Sequence, residues 1–200
     1  MSQDATEVRS AIRPETEALV GERVVLIVDV LGKDSWARIP SLPQFDVDGA
    51  IVYVPPSQNT RLSETIAGDS YTGQRYEWWI YPHRAGPLSI PPIALSIEKK
   101  TYVPSESTVT DSVSSEPQSL QVVFPKDGST TLTFNSLASS QSWSDLDREF
   151  RAGDGITRTI ERKVNDAPSL LLPPLTFDAP DGASIISKQP STENRLNRGE

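Results

Sequence analysis

The 200-residue sequence has no cysteine and one histidine, His83. The first absence excludes disulfides, thiolate nucleophiles and Cys-based zinc sites. The second excludes histidine-rich metal centres, and any Ser-His-Asp arrangement would have to run through His83. Basic charge is short as well: Lys+Arg 19 against Asp+Glu 27 gives a net charge of −8. Phosphate backbones and anionic lipid reward clustered Lys and Arg, so nucleic-acid binding is not expected. No run approaches the roughly 18 apolar residues of a membrane span. The start, MSQDATEV, lacks the basic and apolar regions of a signal peptide. No G-x-S-x-G, P-loop or G-x-G-x-x-G is present.

Proline is abundant instead, 17 residues against 11 glycines. Because proline is tolerated neither inside helices nor in central strands, it cuts the chain into short segments. Those segments alternate with a period of two. Val24, Leu26, Val28 and Val30 share one face, as do Tyr76, Trp78 and Ile80, then Ile93, Leu95 and Ile97. Leu120, Val122 and Phe124 follow, then Leu132 and Phe134. Such runs, rich in β-branched and aromatic residues and bounded by Pro or Gly, predict strands. SWSDLDREF is expected as strand or loop. With no long helical pattern, the class predicted is an all-β, immunoglobulin-like sandwich.

An internal repeat organises the chain. VGERVVLIVDV, IPSLPQFDVDGAIVY and NTRL recur as AGDGITRTIERKV, LLLPPLTFDAPDGASII and ENRL. Gly21 matches Gly153 and Phe45 matches Phe177 at an offset of 132, Gly49 matches Gly182 at 133, and Arg61 matches Arg195 at 134. The near-constant offset predicts tandem modules and makes ITRTIERKV a strand, although the spacing of Ile156, Ile160 and Val164 also suits a helix. The first module is expected over 6–124, a linker at 125–130, and the N-terminal part of a second module over 131–200. The first copy continues after NTRL through further strands; the second has only its first half here. This predicts a natural protein that extends past Glu200. PSESTVTDSVSSEPQS, with almost no apolar content, is expected to be a mobile Ser-rich loop at 103–117.

Candidate sites are few. FDVDG and APDG lack the spacing of a calcium loop, and turn chemistry accounts for their Asp-Gly pairs. Asp145, Asp147 and Glu149 would share a face if extended, which a solvated acidic surface explains. His83 sits in proline-stiffened turn sequence with no nucleophile motif around it. Neither catalytic residues, metal ligands nor a cofactor is expected. Trp78 and Trp79 must point to opposite sides of a strand, so one is core. The other, with Tyr81 and the nearby Arg84, forms a credible contact patch, since aromatic residues and Arg are enriched at interface hot spots.

VGERVVLIVDV, IPSLPQFDVDG and YPHRAGPLSIPP, together with AGDGITRTIERKV and LLLPPLTFDAP, resemble the modules of BatD-type oxygen-tolerance (aerotolerance) proteins over about 6–124 and 131–200. The resemblance implies a non-enzymatic, membrane-anchored protein of the cell envelope, facing the periplasm or extracytoplasmic side. It implies assembly with von Willebrand factor A-domain membrane proteins and a MoxR-type AAA+ ATPase in stress tolerance. Asp46 or Asp48 could then offer a carboxylate to a partner's bound cation. The competing expectation is a carbohydrate-binding or adhesive surface sandwich, for which paired surface aromatics are equally suited.

Overall fold

The structure of the protein is a computed structural model. It describes residues 6–33, 36–38, 43–55, 59–101, 107–126, 133–134, 136–144 and 147–193. The chain divides into two compact units, Met1–Thr133 and Phe134–Glu200.

The first unit is an immunoglobulin-like β-sandwich, and among the described residues it has three sheets, none closed into a barrel. Its largest sheet runs β1 (Glu7–Arg13), β3 (Val24–Gly32), β7 (Asp69–Pro82) and β5 (Ala50–Tyr53), with β6 (Asn59–Ile66) also on β7. β7 is 14 residues long, which lets β6 and β5 share one of its edges in succession while β3 takes the other. Two three-stranded sheets complete the unit. One is β10 (Ser107–Ser114), β9 (Ala94–Thr101) and β4 (Trp36–Arg38); the other is β2 (Glu17–Leu19), β11 (Gln118–Val123) and β8 (Gly86–Ile90).

The alternating residues meet between the sheets. Val24, Leu26, Val28 and Val30 from β3, Tyr76, Trp78 and Ile80 from β7, and Leu95 and Ile97 from β9 are all at most 1% exposed. With Ile93, Leu88, Ile90, Leu120 and Val122 they form one core. Two expected positions differ. Phe124 lies beyond the end of β11 and is 39% exposed. Phe134 is not in a strand, and Leu132 lies outside the described residues. Phe124 is followed by Pro125, which has no N–H to donate to a ladder.

The Ser-rich stretch also differs from expectation. Ser107–Ser114 is a strand, paired antiparallel with Ala94–Thr101 over eight uninterrupted positions. Apolar content was the wrong measure, because Thr108, Val109, Thr110 and Val113 are β-branched and suit an edge strand. Val113 packs against the core. Ser115, 5% exposed, clamps the end: its N–H donates to the Ile93 carbonyl at 3.0 Å, and its Oγ accepts from the Ile93 N–H at 2.9 Å. Residues 103–106 and most of 125–130 lie outside the described residues.

The second unit contains a hairpin, β12 (Ser136–Trp143) with β13 (Arg158–Asn165), and a 3₁₀ turn at Ser169–Leu171. Its geometry copies the first unit locally. The matched glycines adopt matched left-handed φ values, 89° at Gly21 and 95° at Gly153, 78° at Gly49 and 82° at Gly182. The ladder register is shared too: Arg9 faces Asp29 across β1–β3, and Ser140 faces Glu161 across β12–β13. Each residue of the second pair is 131 or 132 positions after its counterpart.

Candidate functional site

Directly opposed positions in the β5–β7 ladder set the geometry of the outer face. Trp78 and Trp79 diverge as strand alternation requires. Trp78 is 0% exposed, with Phe45 edge-on at 5.6 Å between ring centroids. Trp79 is half-buried on the other face, directly across from Tyr53. Their rings stack at 5.9 Å and 27°, and the Arg23 guanidinium sits 4.6 Å from the Trp79 ring centroid. A cation over an indole face is attracted by the ring quadrupole. The aromatic surface is therefore pre-ordered on two sides of Trp79.

Tyr81 does not belong to this surface. It is 2% exposed, although it alternates with Trp79. Alternation specifies a face, not whether that face is covered. At the end of β7 the Gly21 N–H donates to the Pro82 carbonyl at 2.7 Å, and the His83 N–H to the Gly49 carbonyl at 2.9 Å. Both flanks of the strand end are thereby held by backbone bonds, and Tyr81 stands opposite Ile51 of β5 in the ladder.

The segment before β5 turns Phe45 and Val47 inward and leaves Asp46 and Asp48 exposed. Arg84, just past β7, donates from Nη2 to the Asp48 carboxylate, with side chains 57% and 88% exposed. An ion pair this exposed contributes at most about 1 kcal/mol and is easily exchanged for another partner. Asp46 makes no ion pair among the described residues. Gly49 has φ +78°, and a Cβ there would strike the Arg84 side chain, so glycine both makes the turn and makes room for the arginine. The Asp48–Arg84 turn adjoins the Ala50–Pro82 rung, three residues from Tyr53–Trp79. Along the strands that is about 10 Å.

Tyr53 and Arg23 were not legible as site residues. Tyr53 closes a four-residue strand, and Arg23 stands next to a hydrophobic run; only the ladder brings them to Trp79. A second missed feature is the bidentate pair across β3–β7, Arg75 Nε and Nη2 to Asp29 Oδ1 and Oδ2, both at 2.8 Å. Those hydrogen bonds, against a smaller opposing effect of desolvation, hold the Arg75 guanidinium above its ordinary proton affinity.

His83 is exposed at the turn. Asp145 lies outside the described residues, while Asp147 and Glu149 are exposed. Among the described residues, no group of three or more His, Asp or Glu side chains could hold a metal ion. No described helix is long and apolar enough to cross a membrane.

Among curated proteins and among solved structures, no match to the chain was found. The model of the BatD DUF11 like domain matches residues 13–122, a span from the end of β1 to β11 that contains Trp79, Tyr53, Arg23, Asp48 and Arg84. That is more than half of the chain, and the chain belongs to the BatD family.

Proposed function

We propose that this chain is a non-enzymatic protein–protein interaction module of a membrane-anchored envelope protein. In this reading it holds von Willebrand factor A-domain proteins and a MoxR-type ATPase in a complex for oxygen and envelope stress tolerance. The observation that carries the interaction role is the Tyr53–Trp79–Arg23 stack beside the exposed Asp48–Arg84 pair. Tryptophan, tyrosine and arginine are the residues that dominate interface energetics, and side chains already ordered by stacking lose less entropy on binding. The weak ion pair supplies charges that a partner can recruit without first breaking a buried bond. Asp46 supplies the exposed carboxylate for a partner's bound cation.

A glycan-binding reading would need an open aromatic face, whereas the Trp79 ring is already engaged by Arg23 and Tyr53. The protein-binding reading is therefore preferred. Affinity capture from solubilised envelope, with the whole chain as bait, tests it. Von Willebrand A-domain or MoxR-type proteins are expected in the captured fraction and are expected to be lost with Trp79→Ala and with Arg84→Ala. Neither protein class being captured, or capture unchanged by both substitutions, contradicts the reading.

A further inference from the structure

Trp79 stands in a row of side chains that crosses four strands of the first unit. Register places Arg13 of β1 opposite Val25 of β3, Val25 opposite Trp79 of β7, and Trp79 opposite Tyr53 of β5. Directly opposed residues of an antiparallel pair share a face, so all four lie on the outer side of the sheet. Val25, Trp79 and Tyr53 are half-buried, and Arg13 is exposed. At about 4.8 Å per strand, Arg13 lies roughly 10 Å across the sheet from Trp79, with Val25 between them. The neighbouring rung, Ala11–Ile27–Glu77, continues the apolar strip beside Val25.

The arginines of this face differ in their engagement. Arg9 is held by Glu7 and Glu64, both at 2.8 Å, and Arg75 by Asp29. Arg23 lies over the Trp79 ring. Arg13 makes no ion pair among the described residues. The chain as a whole carries −8, so this exposed guanidinium beside an aromatic and aliphatic strip is a local reversal of sign. Arginine's planar fork matches a carboxylate bidentately. The opposite sign stands beyond the far end of the row, where Asp46 and Asp48 are exposed in the turn before β5. The surface is basic at β1 and acidic at the β5 turn, with aromatic rings between. Such polarity fixes the direction in which a partner lies and rejects partners of the wrong sign.

We propose that the Trp79 surface extends across the sheet to Arg13, and that its occupant is an acidic segment of the protein partner. Arg13 grips a carboxylate of that segment, and an apolar side chain next to it packs on Val25 beside the Trp79 ring. The inference rests on the reading of the Trp79 surface as the partner-binding face and adds the partner's chemistry. The aromatic rings supply contact area, and Arg13 selects by charge.

The test titrates the isotope-labelled whole chain with two synthetic peptides, one with glutamates on both sides of a Leu-Leu pair and one with lysines in their place. NMR of arginine Nε–H, valine methyl and indole N–H groups is the readout. Expected with the acidic peptide are shifts at Arg13, Val25 and Trp79 that shrink as salt is raised. Arg13→Glu is expected to weaken that binding roughly tenfold and to turn the preference to the lysine peptide. Arg61→Ala, which removes one exposed charge on β6, is expected to leave it unchanged. Three results overturn the proposal: no shift at Arg13 with acidic peptide in millimolar excess; equal binding of the two peptides; or binding indifferent to Arg13→Glu. Affinity capture from solubilised envelope separates this inference from the reading beneath it. Capture lost with Trp79→Ala but unchanged with Arg13→Glu overturns the acidic segment alone, whereas capture unchanged with Trp79→Ala and with Arg84→Ala overturns both.

Discussion

Removal of either partner of the Asp29–Arg75 pair is expected to destabilise the first unit unequally, with Arg75→Ala the more damaging. The two residues face each other across β3–β7, and both guanidinium-to-carboxylate bonds are 2.8 Å. Their burial is asymmetric, the side chain of Asp29 being 11% exposed and that of Arg75 38%. Fully exposed pairs contribute about 0.2–1 kcal/mol, and stripping one partner from a fully buried pair costs about 3–5 kcal/mol. Arg75 is more than a third exposed, so solvent screening reduces the attraction to a coupling of about 1–2 kcal/mol. Asp29→Ala leaves an arginine that can turn to water, at a cost of about 1–2 kcal/mol. Arg75→Ala leaves a largely buried carboxylate without its partner, at a cost of about 2–4 kcal/mol. A double-mutant cycle in urea, read by near-UV circular dichroism, separates these quantities. Equal costs for the two single variants, or a coupling energy near zero, would refute the burial asymmetry as the cause.

Further outcomes follow from the same geometry. Trp78→Ala is expected to cost about 3–5 kcal/mol in urea unfolding, because a fully buried indole packed on Phe45 leaves a large cavity. Burial pushes the Tyr76 hydroxyl from 10.0 up to about 12. The folded state therefore holds that proton more tightly than the unfolded state. The resulting stability is complete below pH 10 and declines between pH 10 and about 12; absorbance at alkaline pH should show one tyrosine ionising late, together with unfolding. Gly49→Ala is expected to cost about 1–2 kcal/mol through its left-handed φ, and to displace Arg84 from Asp48 in NMR side-chain spectra. Hydrogen exchange should protect Ser107–Ser114 amides bonded to β9, whereas a mobile loop would exchange them within the dead time.

What was legible in the sequence divides along physical lines. Period-two alternation placed Tyr76–Ile80 and Ile93–Ile97 in the core, and Val24–Val30 is so apolar that its second face, with Ile27 and Leu31, is buried as well. It chose Trp78 and Trp79 as opposites but could not say which was buried, because alternation assigns each a face and leaves open whether that face is covered. Tyr81 was misplaced because alternation specifies a face, and the burial of that face at the end of β7 depends on segments distant in sequence. Ser107–Ser114 was misread because an edge strand is held by backbone ladder bonds more than by side-chain burial, and backbone bonds leave no mark on composition. The Asp29–Arg75 pair and the Tyr53–Trp79–Arg23 stack depend on register across strands. Register is fixed by the packed sheet as a whole, not by any one segment.

The most direct test of the interaction reading is site-specific photo-crosslinking in the intact envelope, with the photoreactive residue at Tyr53 or Asp48 and a control at exposed Thr110 on β10. Cross-links to a von Willebrand A-domain or MoxR-type protein from positions 53 and 48, and none from 110, are expected. Cross-links to such proteins only from 110, or equally from all three positions, would place the partner elsewhere and contradict the assignment of the Trp79 surface.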